Sequence, residues 1–246
     1  GALAQAPASA NRLVFIGTKG GPRVGGVRAN PANLLVLDGV PFLIDCGYGT
    51  ARGLVTAGVK LPDMRYMFIS HHHSDHNLDY GNIVDAAGSV GLNAPVRSFG
   101  PKGLAEMTDL FWKLNKFDIE TRIADEGKPD PRKLLLPTDI EEGVILELPG
   151  VKVSAIRVPH PPIVDNFAYK FETKVGTFVF SGDTAYSEKL AAFARGADVL
   201  VHESLYEPRV HKLVSSVPSA PPWKEHLLAS HTMTEDIGRI AAIAGP

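Results

Sequence analysis

Four imidazoles and one carboxylate fall within six consecutive positions, in the run Ser70-His71-His72-His73-Ser74-Asp75-His76. The apolar stretch Tyr66 to Ile69 reads as a strand and leads directly into this cluster. Side chains alternate along an extended chain, so His71 and His73 point to one side and His72 to the other. Asp75 and His76 then fall on the turn that closes the segment. Two imidazoles on one side, followed by a carboxylate and a third imidazole, supply parts of two metal sites. Nitrogen and carboxylate oxygen without thiolate suit zinc, with manganese or iron as alternatives. The placement of these groups at a strand end argues against a merely solvated loop.

The rest of the chain is patterned for sheets with helices between them. Leu13 to Ile16 is a short apolar run that ends in a turn-rich loop. Leu34 to Leu37 and Pro41 to Ile44 flank Asp38-Gly39, a hairpin signal. Leu78 to Val90 has a helical pattern, Val96 to Phe99 a strand pattern, and Pro101 to Leu114 reads as a helix with proline at its start. Residues 124 to 133 are polar and turn-rich, so they are expected as a surface loop. Further on, Val144 to Leu148 pairs with Val151 to Val158 across Pro149-Gly150, and Phe167 to Phe171 with Thr177 to Phe180. Ser187 to Ala194 is expected as a helix, Asp198 to Val201 as a strand and residues 215 to 222 as a loop. Thr234 to Ala244 carries the 3.6-residue period of an amphipathic helix. Two sheets face to face, with helices outside, would bury all of these apolar faces.

Composition narrows the class. A chain of 246 residues can build a sizeable core, and 44% hydrophobic with 21% charged residues excludes a disordered or fibrous chain. No apolar run approaches the roughly 18 residues of a membrane span, so no membrane partner is expected. Cys46 is the single cysteine, which excludes an intrachain disulfide. The net charge of −2 argues against a dedicated nucleic-acid partner. Residues 1–10, GALAQAPASA, read as a flexible tail resembling the small-residue stretch around a signal cleavage site, so a periplasmic or secreted protein is expected. Residues 11–246 are expected to form a single domain.

The pattern His71-x-His73-x-Asp75-His76 after an apolar strand resembles the signature of the metallo-β-lactamase superfamily. FIGTKGGP (15 to 22) and LIDCGYGT (43 to 50) are similar to segments of its ribonuclease Z-like branch. So, in order, are VPH (158 to 160), FSGDT (180 to 184), VHES (201 to 204) and SHT (230 to 232). The resemblance implies an α/β fold, an αββα sandwich of two facing mixed sheets with helices outside. It implies two divalent metal ions, with His71, His73 and His160 on the first, Asp75 and His76 on the second, and Asp183 bridging. A hydroxide held between such ions is a nucleophile at neutral pH. Glu203 and His231 match the pair that assists leaving-group protonation in the branch, a carboxylate orienting an imidazole. The catalytic set is therefore Asp75, Glu203 and His231.

The family's second metal takes one more histidine, on a strand after the helix that follows the Ser-His-Thr motif. Here the chain ends at Ala244-Gly245-Pro246, so a C-terminal piece carrying that histidine is expected. His211 and His226 are expected on the surface, and His72 beside the metals without binding them. Asp45 has two readings, as a carboxylate supporting a ligand histidine or as the cap of a helix near Thr50. Cys46, Tyr80, Phe111, Trp112 and Trp223 are expected in the core. The stretch HHHSDHNLDYG is similar to zinc-type arylsulfatases, and the long basic insertion of tRNA-processing enzymes is not evident. The substrate expectation is a small-molecule ester, sulfate ester or phosphodiester first, with lactone and β-lactam open; a homodimer is allowed. The alternatives are a tRNA 3′-processing endoribonuclease, or a binding or regulatory protein on an impaired hydrolase scaffold.

Overall fold

The computed structural model describes residues 11–23, 26–215 and 220–245. The stretch 1–10, which carries the export expectation, lies outside the described residues. The chain divides into two compact units, Gly1–Asp139 and Ile140–Pro246. Each has its own mixed sheet.

In the first unit β1 (Arg12–Gly17), β2 (Ala32–Leu37) and β3 (Val40–Ile44) form an antiparallel meander. Asp38 and Gly39 make the β2–β3 turn with positive φ at both, a backbone these two residue types tolerate. The chain then passes through α1 (Thr50–Thr56) to β4 (Tyr66–Phe68), and through α2 (Ser74–Asn77) and α3 (Tyr80–Ser89) to β5 (Val96–Gly100). Two more helices, α4 (Leu104–Leu114) and α5 (Lys116–Glu126), lead to β6 (Leu135–Asp139). β3 to β6 are mutually parallel, and the spatial order follows the chain. α3 buries Tyr80, Ile83, Val84 and Ala87, a spacing of three and four, in one cluster with Leu34, Leu43 and Met67. Each such aliphatic side chain, fully buried, contributes about 1.5–3 kcal/mol. Gly81 leaves room for the ring of Phe111, which a Cβ there would overlap.

Two expectations in this unit need correction. Residues 124 to 126 belong to α5, which apolar periodicity does not reveal because Ile119 is its one fully buried side chain. Ion pairs along the helix support it instead, Lys116–Glu120, Arg122–Asp118 and Arg122–Glu126. The helix read from Pro101 begins at Leu104, where Asp139, at the end of β6, accepts from the Gly103 and Ala105 amides. A cap from a distant strand decides that boundary.

In the second unit β7 (Gly143–Leu148), β8 (Val151–Arg157), β9 (Phe167–Thr173) and β10 (Gly176–Phe180) pair antiparallel. α6 (Glu188–Phe193) starts on Ser187, whose Oγ accepts from the Leu190 amide, and returns the chain to β11 (Val199–Val201), parallel to β10. Then come α7 (Glu207–Val214), α8 (Ala220–Ser230) and α9 (Thr234–Ala244). Val158, Ala168, Val179, Leu190, Ala194 and Ala244 form a core cluster of this unit. Of the loop expected over 215 to 222, residues 216–219 lie outside the described set and 220–222 are helical. α7 escapes a periodicity reading because it buries only Val210 and Val214. Among the described residues, no helix is long and apolar enough to cross a membrane.

Candidate metal centre

Parallel strands deliver their carboxyl ends to the same sheet edge, and loops leaving that edge are natural places for ligands. In the first unit β3 ends at Ile44 and β4 at Phe68, so Asp45 and Ser70 emerge side by side. The Asp45 amide donates to Phe68 O at 2.8 Å. The Asp45 carboxylate accepts from the Ser70 amide (2.7 Å), the Ser70 hydroxyl (2.9 Å) and His76 Nδ1 (2.8 Å). Asp45 therefore holds His76, a candidate ligand. Its side chain does not cap α1; Asp79 Oδ2 accepts from the Ala51 amide there. Gly47 follows closely, and a Cβ at this position would overlap the backbone oxygen of Asp75.

These bonds fix the imidazoles. The Ser70 hydroxyl gives its proton to Asp45, so His71 Nδ1, 2.9 Å away, donates to Ser70 Oγ. His76 Nδ1 donates to Asp45, and each ring turns its Nε2 lone pair outward. His71 Nε2 lies 2.9 Å from His73 Nδ1, and His76 Nε2 lies 3.8 Å from Asp75 Oδ2. Tetrahedral nitrogen ligands about 2.0–2.1 Å from a zinc ion are about 3.3 Å from each other, so the histidine pair suits a shared cation. His71, Asp75 and His76 are buried, whereas His72 is exposed with Nε2 at Lys102 O. Cys46, the single thiol, is buried, and burial followed by the charges of Asp45 and Asp79 pushes its pKa up. Removing the carboxylate that supports these ligands should be costly. Asp45→Ala is expected to weaken zinc binding by about 10–100-fold, measured by chelator competition; unchanged affinity would contradict the supporting role.

The second unit uses the same device. β8 and β10 run in one direction and β11 is parallel to β10, so His160, Asp183 and Glu203 all follow strand ends at one edge. His160 Nδ1 donates to Ser230 O at 2.8 Å. His231 Nδ1 lies 2.9 and 3.1 Å from the two Glu203 oxygens and 3.8 Å from Asp183 Oδ2. His160, Asp183 and His231 each bring one donor atom within 4.8 Å of the others. Burial pushes the Glu203 carboxyl up to about 7; the His231 hydrogen bond opposes this and the charge of Asp183 adds to it.

Two residues differ from expectation or lacked one. His226 is not a detached surface group: its ring centre lies 6.0 Å from that of His160 and 6.1 Å from that of His231. The fold of α8 places it there, four residues before Ser230. Ser230 itself has no signal in the sequence beyond its position beside His231. His211 is exposed, with Glu207 at 3.5 Å, and Tyr80 and Trp112 are buried.

Comparison with known proteins places this geometry. The model of the metallo-β-lactamase superfamily matches residues 25–213. A ribonuclease Z of Mycobacterium marinum is 30% identical over 196 residues, covering 77% of this chain and 69% of that protein. The fold is shared with the metallo-β-lactamase fold protein YhfI of Bacillus subtilis (TM-score 0.67, 19% identity, 95% and 81% of the two chains). It is also shared with the short form of human tRNase Z (TM-score 0.63, 18% identity, 92% and 93%). The kinship with ribonuclease Z overturns the expectation, drawn in part from net charge, that a nucleic-acid partner is unlikely. Net charge is an average over the chain, while phosphate contacts are local. Residues 11–37 carry Arg12, Lys19, Arg23 and Arg28 and no acidic residue.

Proposed function

This chain belongs to the metallo-β-lactamase superfamily, and we propose that this hydrolase cleaves a phosphodiester bond in RNA, as a tRNA 3′-processing enzyme. The observation that carries the proposal is the Glu203–His231 pair set beside Asp183. Cleavage of an RNA phosphodiester expels a ribose alkoxide, a poor leaving group that needs a proton. An aryl sulfate expels a phenolate, which makes less of that demand. The kinship with ribonuclease Z supports the same substrate class.

The donor sets of both units fit divalent metal, and the family's assignment is adopted here. In that assignment His71, His73, Asp75 and His76 of the first unit, and His160 and Asp183 of the second, would be the residues that hold metal. When bound, such ions supply Lewis acidity and lower the pKa of water to about 7. Asp45 and Ser70 hold His71 and His76 in the tautomer that presents Nε2. Glu203 orients His231 through Nδ1, and His231 delivers the proton to the departing oxygen.

The test compares three substrates on the zinc-loaded chain: a tRNA precursor with a 3′ trailer, bis(p-nitrophenyl) phosphate and p-nitrophenyl sulfate. Trailer removal with phosphodiester turnover, and sulfate hydrolysis far slower, is the expected result. Sulfate turnover with intact RNA would reject the proposal.

A further inference from the structure

The segment Ser230-His231-Thr232 joins the end of α8 to the start of α9, and each of its side chains reaches a different stretch of the second unit. Ser230 is fully buried. Its carbonyl accepts from His160 Nδ1 at 2.8 Å, and its hydroxyl donates to Pro161 O at 2.6 Å. One residue therefore holds both the ring of His160 and the peptide that follows it. His226 Nδ1, from the preceding turn of α8, lies 3.2 Å from Ser230 Oγ.

Thr232 is also fully buried, and its hydroxyl donates to Thr184 O at 2.7 Å. Thr184 directly follows Asp183, and its amide donates to Glu203 Oε1 at 2.6 Å. The Thr232 carbonyl accepts from the Leu205 amide at 2.9 Å, two residues past Glu203. Between Ser230 and Thr232 stands His231, bonded to Glu203. Three consecutive residues thus tie His160, Asp183 and Glu203 to one another, although these stand on three separate loops.

We propose that Ser230 and Thr232 are positioning residues, which set metal affinity by orienting His160 and holding the Asp183–Thr184 backbone. The proposal rests on the assignment of His160 and Asp183 as metal ligands. An imidazole whose Nδ1–H is committed to a fixed carbonyl presents Nε2 in one direction, and such outer partners commonly govern affinity. Neither hydroxyl needs to touch metal or substrate to act in this way.

The experiment measures zinc affinity of the full chain by competition with a chromogenic chelator, together with the melting temperature of the metal-free protein. Ser230→Ala removes the hydroxyl and keeps the carbonyl; Thr232→Val removes the hydroxyl and keeps the shape. Each is expected to weaken the tighter-affected zinc site by about 10–100-fold, and Ser230→Thr to restore most of the loss. Wild-type affinity in both variants overturns the proposal, whatever the melting temperature does. If one variant fails to fold, the other decides by the same criterion. The wild type separates the two layers of inference. A wild-type chain that binds no zinc fails the ligand assignment itself. One that binds zinc and leaves RNA intact fails only the substrate proposal.

Discussion

Asp183→Ala is expected to abolish turnover while leaving the fold intact. The carboxylate lies three residues past β10 with its side chain 17% exposed, and His231 Nδ1 is 3.8 Å away. The backbone of Asp183 is held independently, by Asn166 Nδ2 donating to its carbonyl at 2.7 Å. Substitution of the side chain therefore removes negative charge from a cluster of donors without loosening the strand. In the proposed site that charge offsets two cations. The loss should be at least the roughly 10²–10³-fold cost of deleting one preorganised electrostatic contact. Circular dichroism and melting temperature check the fold, and turnover of bis(p-nitrophenyl) phosphate checks the effect. Wild-type turnover in Asp183→Ala would remove Asp183 from the site.

The second large effect is expected at His231. If His231 delivers a proton, His231→Ala should lower kcat by about 10²–10⁴-fold with metal content unchanged. The loss should depend on the leaving group. Nitrophenolate departs readily without a proton and should suffer least; a ribose alkoxide should suffer most. A capping role for His231 is excluded by the geometry, since its Nδ1 meets Glu203 and no side-chain bond caps α9. One competing role is open to experiment, because His231 shares a potential ligand group with His160 and Asp183. Loss of one metal equivalent in His231→Ala would make it a ligand instead of an acid. An equal loss for both leaving groups, with metal retained, would also reject the acid role.

The residues proposed for the chemistry are legible in the sequence because metal ligands and acids form short patterns at strand ends. His71 to His76 is one such pattern; His160, Asp183, Glu203 and His231 each sit in another. The supporting partners are less legible. Asp45 admits two readings until its carboxylate is seen between Ser70 and His76. Ser70, Ser230 and Thr232 are ordinary hydroxyl residues whose partners lie up to 70 positions away. Nothing in local spacing distinguishes them from surface serines and threonines. His226 likewise looks like a surface histidine, because what places it is the direction in which α8 runs.

Elements divide along the same line. By itself the sequence determined the hairpins and the amphipathic helices, Asp38-Gly39 and Thr234–Ala244 among them, since turn chemistry and periodic burial are local. It also determined the metal-binding character of the chain, because donor chemistry belongs to the residue types themselves. Tertiary structure decided where α4 begins, through a carboxylate from β6, and it made α5 a helix with scarcely an apolar face of its own. It also decided which nitrogen of each imidazole is presented, through partners that only parallel strand ends and the α8–α9 connection bring near. Hydrogen bonds act over about 3 Å whatever the separation in sequence. A ligand's identity is therefore written locally, while its orientation belongs to the fold.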